Sequence, residues 1–124
     1  MTTINTIFLY VADATASARF YADLLAIQPV EASPGFALFI LPSGVALGLW
    51  TKSGVQPVPT AAAGGSDLGL RVKTPAEIDS THATWAAKGI TIPFPPTDLD
   101  FGRSFVALDP DGNRLRVYAV FDEA

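Results

Sequence analysis

The groups able to do chemistry are few, and their types exclude more than they offer. The chain has no cysteine, so disulfides, thiolate zinc sites and thiol nucleophiles are ruled out. His82 is the only histidine: a serine–histidine triad has one candidate base, and a metal site built from several imidazoles has none. It stands at helical spacing from Ile78 and Trp85 and reads as a packed helix side chain rather than a base. Asp109 and Asp111 sit in the run Asp109-Pro110-Asp111-Gly112 and read as turn residues bonding their own backbone, not as acids. Eight Lys and Arg against twelve Asp and Glu give a net charge of −4 with no basic run, which argues against a nucleic-acid surface. With 49% apolar and 16% charged residues the chain must fold around a core. Its clean apolar runs reach only about six residues, far short of a membrane span. The start, MTTINTIFLY, has neither a basic segment nor a cleavage pattern, so the expected location is the cytoplasm.

Elements must position these groups. Residues 3–11 are rich in β-branched and aromatic side chains and predict a strand. Asp13 offers an N-cap for a helix over residues 14–25, with Phe20, Leu24 and Ile27 at helical spacing. Short strands are expected over 29–33, 36–41 and 45–50, the last two joined by the turn Pro42-Ser43-Gly44. Residues 52–65, with Pro57, Pro59 and Gly64-Gly65, have no period and read as a linker. A strand follows over 67–73. Thr74-Pro75-Ala76-Glu77 then starts a helix that runs to Lys88 and stops at Gly89. Residues 90–94, 103–108 and 113–121 predict three further strands, with a loop over 95–102.

This is an internal repeat. Shifted by sixty-one, Ile7, Leu9 and Val11 fall on Leu68, Leu70 and Val72, and the cap Asp13 falls on the cap Thr74. Shifted by sixty-eight, Pro42-Ser43-Gly44 falls on Pro110-Asp111-Gly112, and Leu47, Leu49 and Trp50 on Leu115, Val117 and Tyr118. The chain reads as one α+β domain, residues 1–124, made of two βαβββ modules: module 1 over 1–51 and module 2 over 66–124.

The run Ile7-x-Leu9-x-Val11-x-Asp13, leading into Ser17-x-x-Phe20-Tyr21 and Leu24-Leu25, together with Asp109-Pro110-Asp111-Gly112-Asn113-x-Leu115, resembles the vicinal-oxygen-chelate superfamily. This is the glyoxalase, bleomycin-resistance and dioxygenase group. The segments Leu47-Gly48-Leu49-Trp50 and Phe101-Gly102-Arg103-Ser104-Phe105 look most like its phenazine- and bleomycin-resistance branch. The resemblance implies mixed sheets curled around a shared cleft, usually in a homodimer, and, in that branch, sequestration of an aromatic antibiotic. Metal-dependent members carry His, Glu or Gln, His and Glu on the first and last strand of each module. Here those positions carry Thr6, Gly48, Asp67 and Arg116. Glycine has no ligand atom and arginine only donates, so no metal and no cofactor is expected. The two residues of module 2, Asp67 and Arg116, are expected to form an ion pair instead.

Strand side chains alternate faces, so Phe8 and Tyr10 accompany Thr6, Trp50 accompanies Gly48, and Tyr118 accompanies Arg116. The opposite positions, Ile7, Leu9, Val11, Leu47, Leu49, Leu68, Leu70, Leu115 and Val117, are aliphatic and belong under the helices. Aromatic rings on an accessible face suit a flat conjugated ligand. Gly48 either leaves room for a ring against the sheet or marks a bulge. Phe101 and Arg103 end the proline-rich loop; Arg103 pairs a ligand carboxylate or lies on the surface. The expected binding set is Phe8, Tyr10, Phe36, Gly48, Trp50, Asp67, Phe101, Arg103, Arg116 and Tyr118. Two functions follow: non-catalytic sequestration of a small planar aromatic compound by a homodimer, or a metal-independent enzyme with Asp67, Tyr10 or Tyr118 as acid or base.

Overall fold

A computed structural model describes residues 2–121; residue 1 and residues 122–124 of the expected modules lie outside it. The chain forms two compact units, Met1–Ala62 and Ala63–Ala124, each a four-stranded mixed sheet with one helix. The first contains β1 (Thr6–Val11), α1 (Ala14–Leu25), β2 (Glu31–Ala32), β3 (Phe36–Ile40) and β4 (Ala46–Thr51), with strand order β1-β4-β3-β2. The second contains β5 (Asp67–Arg71), α2 (Pro75–Ala87), β6 (Phe94–Asp98), β7 (Gly102–Leu108) and β8 (Arg114–Val120), in the order β5-β8-β7-β6. In both, the first strand lies parallel to the last and the other pairings are antiparallel, so the α+β class and the βαβββ repeat hold.

Caps set the helix starts. The Asp13 carboxylate accepts the N–H groups of Thr15 (3.0 Å) and Ala16 (3.4 Å), and the Thr74 hydroxyl accepts that of Glu77 (3.3 Å). The face that α1 buries is Ala14, Ser17, Ala18 and Tyr21. Phe20, Leu24 and Ile27 are only half-buried, and Ile27 lies beyond the helix end, which Ala26 closes at φ 55°. Small residues let the helix sit close to the sheet, and Tyr21, Phe39, Leu47 and Leu49 are the large side chains buried in the first core. The second core gathers Ile78, Trp85, Phe105, Leu115 and Val117. Of the aliphatic set, Ile7 remains 39% exposed, because β1 is an edge strand.

Most element bounds shift by a residue or two, and three differences bear on the site. The first strand begins at Thr6, where pairing to β4 begins. The linker includes a single 3-10 turn, Lys52–Gly54, and is pinned by buried Val55. The expected strand over 90–94 and loop over 95–102 are replaced by β6, which runs through Pro95 and Pro96. Those prolines fit because β6 is an edge strand that pairs only with β7, with a register irregularity between Phe94 and Thr97.

Candidate functional site

Each unit has a sheet face turned away from its helix, and the two faces differ in chemistry. On the first, the rings follow from register. Trp50 of β4 is paired with Tyr10 of β1 on one side and Phe36 of β3 on the other. One pleat along, Phe8 pairs with Gly48. Trp50 is the hub: its ring centroid lies 5.9 Å from Phe8, 6.3 Å from Phe36 and 6.4 Å from Tyr10, all edge-on. Phe8 and Phe36 are themselves 6.3 Å apart. These separations suit the ring quadrupoles. The patch is not sealed, since Phe8 is 50% and Tyr10 43% exposed.

Gly48 explains how so many rings fit. The β1–β4 and β3–β4 registers run through it unbroken, so it marks no bulge. A Cβ at this position would stand 2.7 Å from Cδ1 of Phe8 and 3.2 Å from Cε1 of Phe36. The missing side chain makes room for the chain's own Phe8 to lie over the strand.

The second face is cationic. Asp67 of β5 sits between two arginines of β8: its Oδ2 accepts Nε of Arg116 at 2.7 Å, and its Oδ1 lies 2.8 Å from Nε of Arg114. The expected Asp67–Arg116 pair is therefore present, but shared. The Arg114 contact has ion-pair distance without hydrogen-bond alignment, and this buried Nε has no hydrogen-bond partner among the described residues. Arg116 Nη1 also donates to the buried Ser104 hydroxyl at 3.2 Å, which in turn donates to the Val117 carbonyl. Beside the arginines lies an open cavity of about 420 Å³, lined by Phe94, Leu99, Val106 and Leu108. Tyr118 shares this face: a Cβ at Gly69 would stand 3.4 Å from its Cε1, and Phe101, 45% exposed, meets it edge-on at 6.2 Å.

Arg103 lies elsewhere. It pairs with Ala119 in the β7–β8 register and shares the face of Phe105, which packs on α2. There it forks onto Asp79 of α2 (3.0 and 3.3 Å) and reaches Asp98 of β6 (3.0 Å). Hydrogen bonds to Asp79 first, then Asp98, raise its pKa above the ordinary arginine value. Its guanidinium ties helix to sheet and is turned away from Arg116. His82 is half-buried with its ring edge-on to Phe105 at 5.4 Å, as a packed helix histidine should be. Asp109 accepts the N–H groups of Asp111 (2.9 Å) and Asn113 (2.8 Å), which makes it a turn residue.

The sequence reading missed Arg114, although β periodicity could have found it, two residues before Arg116 on the same face. The four former ligand positions do not fit a divalent cation. The Thr6 hydroxyl donates to Asn5, Gly48 has no donor atom, and both Asp67 oxygens face guanidinium groups. Among the described residues, no three His, Cys, Asp or Glu side chains stand together as a metal set.

Paired βαβββ units of this topology define a class, and the sequence agrees: residues 3–117 match the Glyoxalase/Bleomycin resistance protein/Dioxygenase superfamily, to which the chain belongs. The Phenazine antibiotic resistance protein EhpR of Enterobacter agglomerans is 29% identical over 119 residues, covering 93% of this chain and 90% of that protein. The solution structure of protein ATC0852 from Agrobacterium tumefaciens is 43% identical, with a TM-score of 0.89, covering 98% of this chain and 100% of that one. A Nocardioides glyoxalase/bleomycin resistance protein/dioxygenase is 28% identical at TM-score 0.83, covering 100% and 87%. No helix among the described residues is long and apolar enough to cross a membrane.

Proposed function

We propose that this protein binds and sequesters a small planar aromatic compound, an antibiotic or similarly toxic metabolite, without transforming it. The observation that carries the reading is the Trp50-centred face, where Phe8, Phe36 and Tyr10 each meet Trp50 edge-on and two of the four rings stay accessible. Stacking needs such rings and no titratable group. Similarity to a phenazine resistance protein supports the drug-binding reading, and Asp67, held by two arginines, is poorly placed to act as a base. The ligand-binding set of the first unit is Phe8, Tyr10, Phe36, Gly48 and Trp50; Asp67, Arg116, Tyr118 and Phe101 make a second candidate set on the other unit. The acting form is a homodimer in the cytoplasm. In support, each four-stranded sheet leaves two edge strands, and Ile7, on the opposite face of β1 from the rings, is 39% exposed and open to cover by a second copy.

The test is tryptophan fluorescence during titration with phenazine, followed by mass analysis of the recovered compound. Phenazine should quench and return unchanged. Trp50→Ala should lose about 2 kcal/mol of binding, whereas Trp85→Ala, in the helix core, should lose little beyond stability. Equal losses, or a converted product, would overturn the reading.

A further inference from the structure

The second unit's helix-free face carries more positive charge than its one carboxylate balances. Asp67 faces both Arg114 and Arg116, and Arg71 adds a third guanidinium to that face two pleats along β5 from Asp67. This excess stands on a chain whose net charge is −4, so it runs against the overall field of the protein. The cationic end opens on the cavity of about 420 Å³, whose other walls are Phe94, Leu99, Val106 and Leu108. That volume is in the usual range for a small-molecule pocket, roughly 300–1,000 Å³. Arg114 is 41% exposed, and its buried Nε faces Asp67 at 2.8 Å without hydrogen-bond alignment, so Asp67 holds it loosely and the exposed end of the guanidinium is left to the cavity. Its neighbour Arg116 is already held by Asp67 and Ser104, so Arg114 is the freer of the two.

We propose that Arg114, backed by Arg116, receives the carboxylate of an apolar monoanionic ligand whose ring lies in this slot. A guanidinium takes a carboxylate through paired N–H donors, and apolar walls accept the ring. The excess charge favours a monoanion, and the walls favour an organic acid over a free inorganic anion. The inference deepens the sequestration reading by naming the ligand's charge, and rests on it in taking the occupant to be small and planar.

The experiment is calorimetric titration of the full chain at low salt with 2-naphthoate and its neutral isostere 2-naphthamide. Naphthoate should bind about tenfold tighter than the amide, and Arg114→Met should abolish that preference while leaving amide binding within about twofold. Asp67→Asn should tighten naphthoate several-fold, because it frees both guanidinium groups; a merely structural role would weaken binding. Inorganic phosphate should not displace naphthoate. Equal affinity for acid and amide, no naphthoate binding at millimolar concentration, an unchanged preference in Arg114→Met, or displacement by phosphate would each overturn the proposal. Thermal unfolding accompanies each variant; should Arg114→Met fail to fold, the acid–amide pair on the native protein and Asp67→Asn decide. Phenazine quenching of Trp50 separates the two ideas. Quenching that survives without a naphthoate preference sinks this inference alone, and the converse sinks the aromatic-face reading alone.

Discussion

Gly48→Ala sets two opposing effects against each other. The new Cβ would stand 2.7 Å from Phe8 Cδ1, whereas ordinary contact begins near 3.4 Å, so the ring must retreat by about 0.7 Å. Forcing extra carbon into a packed site costs about 1–3 kcal/mol. Alanine in a strand recovers about 0.5–1 kcal/mol of backbone entropy that glycine loses. The obstacle here is the far end of a side chain 50% exposed, free to swing outward, so the cost falls at the low end. Stability should therefore change by less than about 1 kcal/mol in urea unfolding. Binding should respond differently, because Phe8 touches Trp50 and Phe36 and its displacement breaks the patch. Phenazine titration should show about tenfold weaker quenching, with a shifted emission maximum for Trp50. A loss of more than about 3 kcal/mol in stability would mean that the ring cannot move, and full binding would mean that the patch is not the site.

Gly102→Ala makes the opposite prediction. Its Cβ would overlap the Ala119 carbonyl of the paired strand, which cannot move without breaking β7–β8, so a loss of about 3 kcal/mol or more is expected in urea unfolding. A double-mutant cycle of Asp67→Asn and Arg116→Met should give a coupling of about 1 kcal/mol, larger when Arg114 is already Met; additivity would count the pair as ornamental. Arg103→Met should lower the melting temperature slightly at low salt and less at high salt, with no effect on phenazine binding, as checked by calorimetry and fluorescence. Light scattering at micromolar concentration should report a dimer; a stable species at the 13.1 kDa of one chain would remove that part of the proposal.

Much of the frame is legible in the residues because period, caps and turns agree. The alternation at Ile7, Leu9 and Val11 assigned Phe8 and Tyr10 to one face, and the register puts Phe36 and Trp50 beside them. Asp67 and Arg116 were readable as a pair because parallel neighbours follow from the topology. What escaped depended on tertiary context. Pro95 and Pro96 read as a loop, yet an edge strand does not miss their N–H groups. Arg103 invites a ligand by type alone, whereas parity with Phe105 turns it to the helix and Asp79 captures it. Phe20 outranks Tyr21 in hydropathy, yet the helix rotates to bury Tyr21 between its alanines and the sheet.

The two units also show how a duplicated scaffold diverges. Counting by the repeat, Phe8 corresponds to Gly69 and Gly48 to Arg116, and each couple is a cross-strand pair: Phe8 with Gly48, Gly69 with Arg116. In both halves one strand supplies a glycine and its parallel neighbour the bulk, but the donor of the bulk has switched. In the first unit a side chain at Gly48 would collide with Phe8, whereas in the second a Cβ at Gly69 would meet Tyr118 only at ordinary contact, 3.4 Å. Placing an arginine where Gly48 stands therefore requires Phe8 to change with it. Anyone recombining halves of such chains to change what they capture should transplant the couple, since an arginine in place of Gly48 alone carries the wrong shape for Phe8.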